Sequence, residues 1–345
     1  MFVRNCWYVI AWDHEVPVQQ NDGGIFSRTV LGEPIVVYRT QEGLVALADR
    51  CCHRGAPLSK GRLEGDNLRC GYHGLVFNPQ GQCIEVPGMD KAPAKACVKR
   101  YPIVQKNRWI FVWMGDPEKA DVQLLPDNYS CDSQDWKNLP GYMHYDTDYL
   151  LICDNLLDFS HLSYVHEKTL GGSHAIAQAR QDITEVTTPG QRGLRIKRRV
   201  PEVPSPPSYQ RIHAFKGGIE RWWDYEFLLP GTLLMKSGGF PSKNNTVDSG
   251  EVELHSCQTV TPETATSTHY FFQQGHRTGQ GDSTLAASMH EMLIRAFHED
   301  KDMISAQAAS LAQKPDFEMF PLHLDGALMR FRRLITAEIA REQAA

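Results

Sequence analysis

The sequence predicts an α+β chain of two domains: an all-β domain over residues 1–117, then an antiparallel sheet with helices against it over 118–345. Three observations carry this. Before Asp116 the apolar runs are short, β-branched and aromatic, punctuated by turn residues, and no helical stripe interrupts them. From Asp116 to Gly141 the composition turns polar and irregular, as suits a linker running over the surface. Beyond it strand-like runs recur and are followed by one long helical stripe from Ser283 to about Leu311.

Taken in order, the N-terminal strands are Cys6–Trp12, Ile25–Thr40 folded at Leu31-Gly32-Glu33-Pro34, Leu44–Arg50, Leu75–Val86 folded at Pro79-Gln80-Gly81, and Arg108–Gly115. In the second domain His144–Ile152 leads from strand-like into helical period. The strands Gly193–Val200, Glu220–Gly231 and Thr232–Phe240 follow, then Gly250–Val260 and Thr266–Gly275, joined by a Thr261-Pro262-Glu263-Thr264 turn.

At 345 residues the chain has room for two domains with ample cores. Charged residues make up 22% and hydrophobic ones 41%, a soluble globular composition. A net charge of −5 argues against a polyanion-binding surface, so nucleic acid is not an expected partner. No signal-like N-terminus and no apolar run approaching about 18 residues is present, which predicts a cytoplasmic protein with no membrane segment. Of nine cysteines, Cys6, Cys52, Cys83, Cys97, Cys131, Cys153 and Cys257 show no paired rhythm and read as reduced thiols.

The remaining two organise the first domain. Cys51-x-His53 and, after a 16-residue spacer, Cys70-x2-His73 each offer one thiolate and one imidazole. A Rieske-type [2Fe–2S] centre needs two Cys on one iron and two His on the other, and two mixed pairs let two similar loops each reach both irons. The exchange of thiolates for imidazoles raises the potential from about −400 mV to roughly −150 to +300 mV, which makes such a centre an electron relay. A Cys2His2 zinc site, which normally groups like with like, a disulfide, and unrelated buried residues are the competing readings. Cys52 reads as a non-ligand, because Cys52-His53 would be adjacent and point apart.

A second constellation lies in the second domain, at Asn155-Leu-Leu-Asp158-Phe-Ser-His161-Leu-Ser-Tyr-Val-His166. Mononuclear iron that activates oxygen commonly uses two His and one carboxylate, leaving positions open. On an ideal helix at about 100° per residue, Asp158 and His161 share a face while His166 lies about 140° from His161. Both imidazoles reach one metal only if the helix ends or bends near His166, and Gly171-Gly172 follow shortly.

His53-Arg-Gly-Ala-Pro-Leu-Ser59, the run CGYHGLVFNPQGQC from Cys70, NCWYVIAW from Asn5 and DNLLDFSHLSYVH from Asp154 together resemble the Rieske non-haem iron oxygenases. The last two runs resemble the branch of vanillate O-demethylase, dicamba O-demethylase and toluenesulfonate methyl-monooxygenase oxygenase components. The resemblance spans essentially the whole chain. It implies an N-terminal Rieske [2Fe–2S] domain followed by a helix-grip catalytic domain with mononuclear Fe(II), held by His161 and His166. By the same resemblance Asp158 is an inter-site bridge. Its carboxylate would accept hydrogen bonds from His161 and from His73 of a neighbouring subunit, in a ring-shaped homotrimer whose electrons cross between subunits. Asn155 resembles an amide beside the iron; a side chain bonding backbone at a helix start is the competing reading.

With Asp158 so assigned, the carboxylate ligand has to come from elsewhere. Taking Met289 as zero at about 100° per residue, Leu293, Ala296, Met303, Ile304 and Gln307 fall within about 60°, and Asp300 at about 20°. Asp302 falls near 220°, His298 near 180° and Glu299 near 280°, by the same rough count. A carboxylate on an apolar stripe is costly unless paired or metal-bound, so Asp300 is the candidate third ligand. A buried salt bridge to an arginine is the alternative.

No G-x-G-x-x-G follows a strand and no further Cys-rich ferredoxin pattern occurs, so a separate NAD(P)H-dependent reductase is expected; the resemblance implies a flavin and iron–sulfur protein. The expected activity is that of a terminal oxygenase that O-demethylates or methyl-hydroxylates a small aromatic acid with O2. The alternatives are a ring cis-dihydroxylating dioxygenase and, from other classes, a Rieske electron-transfer protein or a zinc-stabilised binding protein. Pocket aromatics are sought among Trp222, Trp223, Tyr225 and Phe227 and among His269, Tyr270, Phe271 and Phe272, though alternation alone does not say which point inward.

Overall fold

The structure is a computed structural model that describes residues 1–18 and 24–344. The chain divides into two compact units, one of residues 2–122 with Thr261–Thr264, the other of 123–260 and 265–345 together with Met1.

The first unit is built from short antiparallel strands in three small sheets. Trp7–Trp12 and Trp109–Trp113 are buried along their full length and pair from Trp7 opposite Trp113 to Trp12 opposite Trp109, with one register shift between Val9 and Ala11. Aromatic and β-branched side chains on both faces suit strands enclosed on both sides. Ile25–Val30 and Glu33–Thr40 form a hairpin over Leu31-Gly32, whose φ angles of 53° and 79° are those of a tight two-residue turn. Gly43–Ala48 continues that sheet, and Arg62–Glu64, Asn67–Arg69, Val76–Phe77 and Cys83–Glu85 form a third. Arg62–Glu64 and Asn67–Arg69, three residues each, carry no apolar alternation long enough to be legible in sequence.

The second unit is a mostly antiparallel sheet in the order Trp136–Lys137, Ser267–Arg277, Val252–Thr264, Thr232–Pro241, Ile219–Leu228, Gly193–Val203, Gln181–Glu185, with Gly141–Tyr145 also on Ser267–Arg277. The helix Leu285–Gln313 packs on Ser267–Arg277 and Gly141–Tyr145, and against the helix Tyr149–Leu157. Its buried residues Leu285, Met289, Leu293, Ala296, Phe297, Asp300 and Ile304 follow the expected stripe as far as Ile304. Met303, at 59% exposure, and Gln307 depart from it, and no residue of this helix beyond Ile304 is buried.

Three expectations change here. The segment 116–141 is not a bare surface linker: Leu125, Asn128, Ser130, Cys131 and Trp136 are buried, and Asn138 Nδ2 donates to the Ser130 carbonyl at 2.8 Å. Thr261–Thr264 is not a turn; the strand runs through it and turns at Ala265-Thr266, because Thr261 Oγ1 donates to Val9 O at 2.7 Å and Leu31 and Gly32 donate to the carbonyls of Pro262 and Glu263. A C-terminal helix, Gly326–Ala344, was not expected. Its buried Ala327, Phe331 and Ile335 are spaced by four, and its Arg332 forks onto Asp154. No helix among the described residues is long and apolar enough to cross a membrane.

Candidate metal centres and the cavity beside the second

Cys51 and Cys70 are buried, whereas His53 and His73 are exposed, with ring centroids 4.6 Å apart. The two loops use one backbone scheme. Cys51 N donates to Ala56 O at 2.8 Å and Gly55 N to Cys51 O at 2.9 Å; Cys70 N donates to Leu75 O at 2.8 Å and Gly74 N to Cys70 O at 3.1 Å. Gly55 and Gly74 close these turns at φ +72° and +76°, a region that side chains with a Cβ avoid. Asp49 braces the first loop by accepting from Ser59 N and Oγ at 2.7 and 2.6 Å, and Arg69 Nη1 braces the second by donating to Gly74 O at 2.7 Å.

This donor set fits a Rieske cluster. Burial pushes the Cys51 thiol up to about 11, and the adjacent Cys70 adds to it, so nearby positive charge of the kind cluster irons supply would favour its thiolate. Thiols inside and imidazoles at the surface match a cluster with its histidine iron outermost. Cys52 is exposed, whereas Cys51 is buried. Only the second loop closes a hairpin, joining Asn67–Arg69 to Val76–Phe77; the first, expected at a hairpin tip, connects strands of two different sheets.

In the second unit His161, His166 and Asp300 offer ligand atoms that all lie within 4.8 Å of one another. The helix Tyr149–Leu157 ends before Asp158, and a 3-10 turn, Phe159–Ser163, carries His161. The break therefore comes earlier than the expected bend near His166. Asp158, at φ −115° and ψ 100°, leaves the helical region and caps the new turn. Gly172 is required beyond it, since a Cβ there would lie 1.9 Å from Leu162 O.

Asp300 Oδ1 lies 3.0 Å from His166 Nε2 and 3.5 Å from His161 Nε2, and accepts from Asn155 Nδ2 at 2.9 Å. Each imidazole is held by its other nitrogen: His166 Nδ1 lies 2.8 Å from Glu299 Oε2, and His161 Nδ1 meets the main-chain carbonyl of Asp158. Glu299 also accepts from Thr169 Oγ1 at 2.7 Å. Acceptors at both Nδ1 positions favour the tautomers with the proton on Nδ1, the arrangement that would present an Nε2 lone pair to a metal held by Asp300. Burial lowers the His161 pKa. For His166 burial acts in the same sense but is outweighed by the Asp300 and Glu299 carboxylates, which raise it.

Asp158 differs from expectation in one respect. Its carboxylate does not meet His161 but accepts from Ser160 N and Oγ, both at 2.8 Å, because the side chain is spent on capping the turn. Asn155 sits in the last turn of its helix rather than at the start, and its amide reaches Asp300 instead of backbone. His298 and Asp302 are exposed, as the helix count predicts.

The three residues stand in the wall of a cavity of about 680 Å3, its open mouth included. Of the eight aromatic and histidine positions that the sequence puts forward, only Trp223 lines it; Tyr225 stacks on Phe159, Phe227 packs on Phe331, and Trp222 faces away. Phe159, Leu254, Leu293 and Phe297 supply other apolar wall. Two contributors are not evident from the sequence. Glu299 is legible there only as a flank of the helix stripe, and Arg221 only as a charge in the alternating row Ile219, Arg221, Trp223, Tyr225, Phe227, all buried.

Comparison with known families decides what this pair of sites belongs to. The Rieske [2Fe-2S] domain family matches residues 6–102, and the vanillate O-demethylase oxygenase C-terminal domain family matches 145–341. The chain belongs to the vanillate O-demethylase type of Rieske oxygenase. Within this family it is 41% identical to the toluene-4-sulfonate monooxygenase system iron-sulfur subunit of Comamonas testosteroni, over 98% of both chains. Among solved Rieske oxygenases it matches dicamba monooxygenase bound to 3,6-dichlorosalicylic acid with a TM-score of 0.88 at 29% identity, covering 100% of this chain and 99% of that one. A second structure of that enzyme, with non-heme iron and dicamba, matches with a TM-score of 0.75 at 27% identity over 99% of each chain.

Proposed function

We propose that this oxygenase component O-demethylates or methyl-hydroxylates a small aromatic acid, with O2 and electrons from a separate NAD(P)H-dependent flavin and iron–sulfur reductase. The observation that carries the reading is the closure of His161, His166 and Asp300 on one point in the wall of an aromatic-lined cavity. An electron carrier has no use for such a site. The toluene-4-sulfonate relative and the dicamba enzyme support an aromatic substrate.

In this reading Cys51, His53, Cys70 and His73 hold the [2Fe–2S] cluster, and His161, His166 and Asp300 hold the iron. The two centres supply electrons and open coordination positions for dioxygen. The chain's own residues do the rest. Glu299 and the Asp158 carbonyl hold the two imidazole rings in orientation, and Asn155 holds the Asp300 carboxylate by one oxygen. Phe159, Trp223 and Phe297 enclose the substrate ring and keep bulk water from the reacting carbon. The partly exposed Asp158 carboxylate retains lone pairs beyond its two bonds to Ser160, so it remains open to His73 of a neighbouring copy in a homotrimer.

Purified protein is expected to be red-brown, with about three irons and about two acid-labile sulfides per chain. Metal analysis giving about two irons would leave an electron carrier, and stoichiometric zinc without colour would leave a zinc protein. With a suitable reductase, NAD(P)H and oxygen, methoxy- or methyl-bearing aryl carboxylates and sulfonates are expected to yield formaldehyde plus phenol, or the benzylic alcohol. A panel yielding only cis-dihydrodiols would move the protein to ring dihydroxylation and leave both iron sites intact.

A further inference from the structure

Arg221 lies on the inward row of the strand Ile219–Leu228, at 4% exposure. Its Nη1 donates to Gly171 O at 2.7 Å and its Nη2 reaches Leu170 O at 3.4 Å, while Nε has no hydrogen-bond partner. The guanidinium lies 4.8 Å from the Trp223 ring centroid and 5.3 Å from that of Tyr209. No carboxylate among the described residues pairs with it, whereas Arg195 on the neighbouring strand forks onto Asp224 at 2.9 and 2.8 Å.

A guanidinium stays charged in a protein, and a buried charge without a counter-ion is costly. Two carbonyls and two aromatic faces offset part of that cost and leave the charge itself unbalanced. Arg221 also lines the cavity that holds His161, His166 and Asp300, and the only lining side chains with a permanent charge are Arg221 and Asp300. With neutral imidazoles and a divalent iron held by Asp300, the cavity without substrate would carry a net positive charge. An anionic substrate brings it towards neutrality.

We propose that Arg221 is the anion-recognising residue of this cavity: it binds the carboxylate or sulfonate of the substrate, sets the preference for aromatic anions, and turns the ring so that a substituent away from the acid group faces His161, His166 and Asp300. This rests on the oxygenase reading for the identity of the cavity as the substrate site. Guanidinium suits the role because its planar fork matches both oxyanions, which an ammonium does not.

The test is binding without turnover. Iron-loaded enzyme, oxygen-free, is titrated calorimetrically with 4-toluenesulfonate, 4-methylbenzoate and 4-methoxybenzoate. Each is set against a neutral counterpart, 4-tolyl methyl sulfone for the first and the corresponding methyl ketone for the others. Wild-type protein is expected to bind at least one anion about 100-fold more tightly than its neutral partner, the size of a charge-assisted bond in a dry site. Arg221→Gln should lose that margin while keeping its iron and its affinity for the neutral compound, and Arg221→Lys should recover only part of it. No anion binding more tightly than its counterpart to wild-type enzyme overturns the proposal, whether or not the variants fold. So does Arg221→Gln weakening anion and neutral compound equally, which is what a mere staple of the Leu170-Gly171 turn would give. Because no product is measured, cis-dihydrodiol formation in the turnover panel would overturn the reaction assignment and leave the Arg221 result standing.

Discussion

Asp158→Ala is expected to keep both metal centres and a chemically reducible cluster, yet to lower turnover on the order of 100-fold. The carboxylate is no ligand: His161 is held by the main-chain carbonyl at this position, which the substitution retains. In the proposed reading, what is lost is the partly exposed anion that is open to His73 of a neighbouring subunit. The structure adds a complication, since the same carboxylate caps the Phe159–Ser163 turn through Ser160. Loss of that cap costs about 1 kcal/mol. A second variant separates the two effects. Asp158→Ser keeps a capping oxygen but is too short to bridge, so thermal stability should return towards wild type while turnover stays low. Wild-type turnover in Asp158→Ser would show that the cap alone matters, and the route between subunits would fall.

Asp300→Ala should lose the mononuclear iron, keep the red-brown colour and abolish product, with iron falling from about three to about two per chain. Asp300 is 5% exposed and faces both Nε2 atoms, and no other carboxylate of the helix points there: Glu299 is turned to the Nδ1 of His166. Asp302→Ala, two residues on and exposed, is the control and should match wild type in metal and rate. If Asp302→Ala loses the iron and Asp300→Ala retains it, the assignment of this helix face is wrong.

These two residues also mark how much of the site is legible in the sequence. Asp300 can be found from helical period once the resemblance sets Asp158 aside, because about 100° per residue carries the apolar stripe from Met289 through it. Asp158 can be placed by its surrounding wording, but the direction of its carboxylate cannot. Whether an aspartate caps a turn or meets a histidine depends on where the preceding helix stops, and the residues from Asn155 to His166 are compatible with either. The end at Leu157 follows from how that helix packs on Leu285–Gln313 and on the C-terminal helix, contacts between residues far apart in sequence.

What the sequence determined by itself is the chemistry held within a few residues. Cys51-x-His53 and Cys70-x2-His73 name a two-metal cluster because each pair's reach is set by one tight loop, and the loops repeat the same hydrogen bonds around Gly55 and Gly74. Only the tertiary structure decided what the second centre faces. His166 and Asp300 meet across 134 positions, and Trp223 and Arg221 enter the cavity while Trp222 stays outside it. A strand's alternation says that neighbours point opposite ways and leaves open which face is inside. That is settled by the register of Ile219–Leu228 against Gly193–Val203 and Thr232–Pro241, and by the helices that close one side of the sheet.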